Sequence, residues 1–160
     1  MNKVIFLYVD GVLNNVKHCS LLADKLLGRE QYLELLKQMK GIPFDYRSCM
    51  LLQKLINKSK AYVVLSSTWR LNSEAINELK EYAGIEIVDR TPILDTTKGE
   101  EIQKYLDLNP HIKNYVIIDD DSDMLKKQMS HFVECNTING FTKKEYKRAL
   151  KILKVGGEDD

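Results

Sequence analysis

The stretch Lys3-Val-Ile-Phe-Leu-Tyr-Val-Asp-Gly-Val-Leu-Asn14 decides the fold of this chain. An apolar run of strand-forming residues leads to Asp10, and Gly11 then permits a sharp backbone turn. Open α/β sheets place their chemistry at the carboxyl ends of their strands. The stretch therefore predicts the first strand of an α/β domain, with a candidate functional carboxylate just beyond its end.

Length and composition set limits on the class of protein. The 160 residues suit one domain, and 24 Lys and Arg against 23 Asp and Glu create no global field for nucleic acid or acidic membranes. The three cysteines are far apart and form no Cys-x-x-Cys pair, which favours free thiols over a disulfide framework. With no membrane segment or secretory signal, we expect a cytoplasmic-type protein; signal-independent secretion as an effector would leave no trace.

Continuous apolar runs predict the strands. The strongest candidates cover residues 4–9, 61–66 and 115–119, and weaker ones cover 86–88 and 132–136. Unbroken apolar runs are typical of parallel strands that are covered on both faces.

Helical segments alternate with these strands. They are predicted at 45–58, 72–82, 97–106, 124–130 and 142–153, and two of them begin with the capping boxes Thr97-Lys-Gly-Glu100 and Thr142-Lys-Lys-Glu145. The alternation indicates right-handed crossovers and a three-layer, doubly wound α/β domain with a mostly parallel sheet.

One segment exceeds a minimal crossover. Residues 15–42, between the first strand and the helix before the second, are interpreted as a small helical insertion beside the site. A surface helix pair unrelated to the site is the alternative. We expect one domain over residues 1–155 and a flexible tail over 156–160.

Four groups of polar residues fall where strands end or a helix begins. Each alone has an ordinary explanation: a turn, a strand-end serine, a surface lysine, or an acidic helix start. The groups are Tyr8 with Asp10; Ser66 with Ser67; Lys98; and Asp119, Asp120 and Asp123.

In this order the groups resemble the four motifs of haloacid-dehalogenase-type (HAD) phosphatases. Val64-Leu-Ser-Ser-Thr-Trp-Arg70 and Ile117-Ile-Asp-Asp-Asp-Ser-Asp123 are especially similar to a small-capped branch that includes HAD domains of RNA-repair proteins and bacterial effector phosphatases. The resemblance implies a Rossmannoid fold, a Mg²⁺ cofactor and hydrolysis of phosphomonoesters through an aspartyl-phosphate.

The resemblance also implies a role for each group. Asp10 would be the general acid and base and give its backbone carbonyl to Mg²⁺, while Lys98 would offset the clustered negative charge. Ser66, with Ser67 beside it, would bind phosphoryl oxygens. Asp120 is the favoured direct metal ligand, with Asp119 and Asp123 as alternatives or neighbours in the metal site.

Tyr8 departs from the family pattern, because the nucleophilic aspartate belongs at its position. Residues 8 and 10 of a strand face the same side, so the phenol shares the cavity of Asp10. A phenol is mostly protonated at pH 7 and attacks poorly. We therefore expect little or no phosphatase turnover and weakened Mg²⁺ affinity. Tyr8 is either a change in an otherwise active phosphatase, native to a pseudophosphatase that binds phosphorylated partners, or itself a nucleophile.

Substrate class is less constrained. A small insertion leaves the site open to macromolecular phosphoesters, either a phosphorylated protein side chain or a nucleic-acid end. Similarity to bacterial effector phosphatases suggests a phosphoprotein, including phosphotyrosine, and a nucleic-acid end-processing phosphatase is the alternative. No cysteine has the Cys-x₅-Arg spacing of cysteine-based tyrosine phosphatases. Lys143, Lys147 and Lys151 follow one helical face, but a solvated face is favoured over a nucleic-acid track. Trp69-Arg70 is interpreted equally well as a substrate contact or as structural packing.

Overall fold

Five strands and five helices form the part of the chain that the computed structural model describes, residues 2–22 and 44–155. The strands are β1 (Lys3–Leu7), β2 (Tyr62–Leu65), β3 (Ile87–Arg90), β4 (Asn114–Asp119) and β5 (Phe132–Glu134). The helices are α1 (Val16–Leu22), α2 (Tyr46–Ser59), α3 (Ser73–Ala83), α4 (Lys98–Leu108) and α5 (Lys143–Val155). Two short 3₁₀ helices cover Thr68–Leu71 and Lys126–His131.

All strand pairs are parallel, and the order across the sheet is β3-β2-β1-β4-β5. The central strand β1 aligns Leu7 with Leu65 of β2 and with Ile118 of β4. The carboxyl ends of these three strands therefore lie at one edge of the sheet. The prediction of a parallel, doubly wound α/β sheet is confirmed.

Helices cover both faces of the sheet, which explains why the strands are apolar throughout. Ile5 and Leu7 of β1 belong to a core shared with residues of α2, α3 and α5. Val4 and Phe6 face the other way, into a smaller core that includes α4. There the Phe6 ring meets the edge of the Tyr105 ring at a centroid distance of 5.6 Å.

Most boundaries lie one or two residues from the predicted positions, as at β3 and β5, and two differences have a clear structural form. The first strand ends at Leu7 because the carbonyl of Val9 accepts from the backbone N–H of Leu13 at 2.9 Å, which already turns the chain. The segment predicted as a helix at 124–130 is a 3₁₀ helix over Lys126–His131.

Of the predicted insertion, α1 is helical, while residues 23–42 lie outside the described residues, as does the tail at 156–160. Within the described ranges, no helix is both long enough and apolar enough to cross a membrane.

Candidate active site

The ends of β1, β2 and β4 bring three of the four predicted groups to one edge of the sheet. Tyr8 continues from β1 and donates its backbone N–H to the carbonyl of Ile118 at 3.0 Å. Ser66 follows β2 and donates its backbone N–H to the carbonyl of Leu7 at 3.0 Å. Asp119 is the last residue of β4. Adjacent parallel strands thus place residues distant in sequence side by side.

The carboxylate of Asp10 is held at both oxygens. Asn14 donates from Nδ2 to Oδ1 at 2.8 Å, and Trp69 donates from Nε1 to Oδ2 at 3.2 Å. Asn14 also accepts from the backbone N–H of Gly11 at 3.0 Å, which fixes the turn after the strand. Neutral donors at both oxygens set the orientation of the carboxylate, as a proton-transfer residue requires.

Lys98 connects the start of α4 to the acidic group. Its Nζ donates to Oδ1 of Asp119 at 2.9 Å and lies 3.8 Å from carboxylate oxygens of Asp121 and Asp123. Burial lowers the pKa of Lys98, but the hydrogen bond and charge of Asp119 outweigh burial and raise it overall. Lys98 is therefore a fixed positive charge at this edge.

Asp119 is fully buried. Its Oδ1 accepts from Lys98 and from the backbone N–H of Asp121 at 3.0 Å, and its Oδ2 has no hydrogen-bond partner among the described residues. Burial raises its pKa to about 7, against the opposing effect of Lys98. Because the pair of Lys98 and Asp119 is largely shielded from water, loss of either partner should destabilise the fold.

Asp120 and Asp123 point to different neighbours. Asp120 accepts from Oγ1 of Thr137 at 3.0 Å, and it packs so close to Gly11 that a Cβ atom there would lie 2.2 Å from its Oδ2. Asp123 accepts from the backbone N–H of Lys98 at 3.1 Å and so holds the start of α4. Asp120 is therefore the acidic residue that contacts the loop after β1.

The two serines differ in what their hydroxyl groups do. Ser66 is buried, and its Oγ has no partner among the described residues. Ser67 accepts from the backbone N–H of Trp69 at 3.3 Å and caps the 3₁₀ helix. The contacts of both serines with phosphate remain predictions. Of the two hydroxyl groups, only that of Ser66 has no hydrogen-bond partner among the described residues.

Tyr8 lies beneath the lysine. The Nζ of Lys98 is 4.0 Å from the centroid of the Tyr8 ring, within the range of a cation–π interaction. Burial raises the pKa of Tyr8, and the charge of Lys98 opposes this only in part. The phenol is therefore neutral at pH 7.

The residues present supply fewer carboxylate ligands than the Mg²⁺ ion implied by the family resemblance requires. Across residues 2–22 and 44–155, no three His, Cys, Asp or Glu side chains are grouped so that they could hold a metal. Position 8 supplies a phenol where a carboxylate is required, and the ammonium of Lys98 already pairs with Asp119. Asp10, Asp119, Asp120 and Asp123 as metal ligands remain predictions.

Sequence reasoning missed several supporting residues. Asn14, Thr137 and Glu101 carried no recognisable motif. Arg70 is buried, forms an ion pair with Glu101 at 2.6 Å and donates to the carbonyl of Ser66. Arg70 thus supports the Ser66 backbone, whereas Trp69 reaches Asp10.

The comparison with protein families agrees with the fold. A family model described as the HAD domain in Swiss Army Knife RNA repair proteins matches residues 4–146. No curated protein and no solved structure matches the chain significantly. The family is generally Mg²⁺-dependent and has a HAD-like phosphatase scaffold. Since the match spans most of the sequence, the chain belongs to this family of HAD domains.

Proposed function

We propose that this chain is a phosphomonoester hydrolase scaffold in which Tyr8 has removed most or all turnover. The observation that carries the proposal is the Tyr8 ring at the end of β1, covered by Lys98 at 4.0 Å. A neutral phenol stands where the family requires a carboxylate nucleophile. Asp10, Ser66 and Lys98 support the proposal, because they lie at the same edge of the sheet.

The remaining residues are suited to bind a phosphoryl group. The ammonium of Lys98 and the unused hydroxyl of Ser66 would contact its oxygens. Asp10, held by Asn14 and Trp69, would give a proton to the leaving oxygen. The missing part is the attacking group, and with it a metal-ligand carboxylate, so we propose that Mg²⁺ affinity is weakened as well.

Hydrolysis of p-nitrophenyl phosphate with Mg²⁺ tests the proposal. We expect Tyr8→Asp to exceed the natural chain by at least about 10³-fold, as nucleophile losses in other enzymes indicate. Tyr8→Asn is the matched control, because asparagine is as small as aspartate and removes the ring without supplying a carboxylate. Activity of the natural chain equal to that of Tyr8→Asp would refute the proposal, and equal activity of Tyr8→Asn would assign the effect to the ring alone.

The substrate we propose is a macromolecular phosphomonoester. Phosphotyrosine in a protein follows from the resemblance to effector phosphatases. The terminal phosphate of RNA is the second candidate, and the match to HAD domains of RNA-repair proteins favours it. The ratio of kcat/KM for a phosphotyrosine peptide and a phosphorylated oligoribonucleotide, measured with Tyr8→Asp, separates the two candidates.

A pseudophosphatase that binds phosphate without hydrolysis is the alternative function. The buried, unpartnered Ser66 hydroxyl and the Lys98 ammonium favour it, because both are anion contacts that need no nucleophile. Calorimetry of the natural chain with inorganic phosphate, with and without Mg²⁺, tests this alternative.

We further propose a reducing, cytoplasmic-type compartment, since Cys49 and Cys135 are buried free thiols.

A further inference from the structure

A groove of about 960 Å³ lies beside the candidate active site, lined by residues of α1, the first half of α2 and the start of α5. Five of its lining residues are cationic: Lys17, Arg47, Lys54, Lys143 and Lys144. Only two of these belong to the lysine-rich last helix. The groove thus collects positive charge from three helices that are separate in sequence.

The acidic residues of the groove do not cancel this charge at its surface. Asp45 accepts from Nδ2 of Asn15 at 2.7 Å and from the backbone N–H of Arg47 at 2.9 Å. Glu145 is buried and accepts from the backbone N–H of Thr142 at 3.0 Å. Both carboxylates keep their charge while they cap the helices, but five cations against two carboxylates leave the groove with a net positive charge.

Apolar side chains are exposed next to the cations. Tyr46, at the first position of α2, is 72% exposed, and Met50 and Leu21 are 48% and 45% exposed. Single-stranded nucleic acids present phosphates and flat base faces together, and proteins bind them with basic grooves that carry aromatic side chains. An acidic peptide would engage the cations but would gain little from the Tyr46 ring.

The groove and the candidate active site share one loop. Asn136 and Asn139 line the groove, while Thr137 between them donates to the carboxylate of Asp120. The backbone N–H groups of Val16 and Lys17 donate to the carbonyls of Thr137 and Ile138, which fixes the start of α1 to the same loop. A strand lying in the groove therefore passes next to the acidic edge of the sheet.

From these observations we infer that the groove binds the backbone of single-stranded RNA and leads its terminal phosphate to the site at the ends of β1 and β4. The delivery of the end rests on the proposed function, but binding in the groove does not. The binding test therefore uses the chain with Tyr8 in place and requires no turnover.

Fluorescence anisotropy with a labelled oligouridylate of about 12 nucleotides measures the binding. With three or four phosphates contacted, the logarithm of the affinity falls against the logarithm of the salt concentration with a slope of about −2 to −3. We expect the double variant Lys143→Glu and Lys144→Glu to bind at least about 10-fold more weakly and with a shallower slope.

Matched controls separate the groove from general charge. Lys147→Glu with Lys151→Glu alters the same number of charges on exposed positions of the same helix, outside the groove, and we expect less than about a 3-fold loss. Tyr46→Ala is expected to weaken binding by about 5-fold or more, whereas Tyr82→Ala, an exposed tyrosine on α3, leaves it unchanged. Circular dichroism verifies that each variant is folded.

Three outcomes would overturn the inference. These are no binding by the natural chain at low salt, equal losses in the two lysine pairs, and binding of a polyglutamate peptide as tight as that of RNA and insensitive to Tyr46→Ala. The last outcome would assign the groove to an acidic protein. Failure of Tyr8→Asp to hydrolyse p-nitrophenyl phosphate, with RNA binding intact, would contradict the proposed function and leave the groove assignment standing.

Discussion

The Nζ of Lys98 lies 2.9 Å from the carboxylate of Asp119 and 4.0 Å from the centroid of the Tyr8 ring. The lysine therefore keeps a carboxyl group as its hydrogen-bond partner even though position 8 has no carboxylate. A buried cation without a partner would cost several kcal/mol. The structure thus pairs Lys98 with Asp119 beside the Tyr8 ring, at the position where the family resemblance implies an aspartate nucleophile.

Replacing Tyr8 by Phe tests whether the phenol itself reacts. Burial raises the pKa of Tyr8, so we expect Tyr8→Phe to leave any residual phosphatase activity unchanged. The ring and its contact with Lys98 are retained, so the free energy of unfolding should change by no more than about 0.5 kcal/mol. Residual turnover that disappears in Tyr8→Phe, together with phosphate found on Tyr8, would show that the phenol is a nucleophile.

Asp119 makes stability depend on pH. Its pKa is raised from 3.8 to about 7, so between these values the folded chain binds a proton that the unfolded chain lacks. Its contribution to stability is full below pH 3.8 and is lost as the pH rises through about 7. We expect the free energy of unfolding to fall by at most about 1.4 kcal/mol per pH unit over this window.

Urea unfolding of the metal-free chain at several pH values measures this slope. Asp119→Asn should remove it, whereas Asp107→Asn, at an exposed position on α4, should not. A natural chain whose stability rises from pH 4 to pH 7 in parallel with Asp119→Asn would contradict the assignment.

Substitution of Gly11 tests the role of the loop after β1, and substitution of Gly84 is the matched control. Their φ angles are +75° and +65°, so alanine at either position is strained by about 1–2 kcal/mol. At Gly84 the new Cβ meets the flexible end of Gln53, but at Gly11 it meets the carboxylate of Asp120. We expect Gly11→Ala to be the more destabilising and to abolish hydrolysis in the Tyr8→Asp background, while Gly84→Ala preserves hydrolysis. Equal activities of the two variants would separate Asp120 from the site.

We expect loss of one partner of the Arg70–Glu101 ion pair to lower the free energy of unfolding, because both side chains are buried. Arg70→Met leaves Glu101 charged in the interior, and we expect a loss of about 3–5 kcal/mol in the free energy of unfolding. The double variant Arg70→Met with Glu101→Leu should recover much of this loss. Lys80→Met is the control, because it breaks an exposed pair with Glu86 and should cost no more than about 1 kcal/mol. Similar losses for Arg70→Met and Lys80→Met would count against the argument.

The fold could be predicted from the sequence because the apolar runs and the capping motifs indicate the same architecture. The apolar runs of β1, β2 and β4 have no polar face, and only a sheet covered on both sides buries them fully. The capping box at Thr97 forms as its spacing predicts. The predicted end of β1 was wrong because a local turn begins there: the carbonyl of Val9 accepts from the backbone N–H of Leu13 and not from a neighbouring strand.

The motif residues of the candidate site were recognisable because they follow strands or begin a helix, whereas contacts between distant segments were not. Trp69 and Asp10 are 59 positions apart, and no local pattern indicates that the indole donates to that carboxylate. The run of three aspartates was ambiguous for the same reason. The structure separates them by their surroundings, since Asp119 faces Lys98 and Asp120 faces Gly11 and Thr137.

The pairing of Lys98 with Asp119 also bears on how this gene can change. Codons for tyrosine and aspartate differ by one base, so a single point mutation would restore the family's acidic residue at position 8. Because the lysine has a counter-ion in either case, the folded chain should tolerate the exchange in both directions. The proposed loss of turnover would therefore be reversible by one nucleotide change, without rebuilding the scaffold.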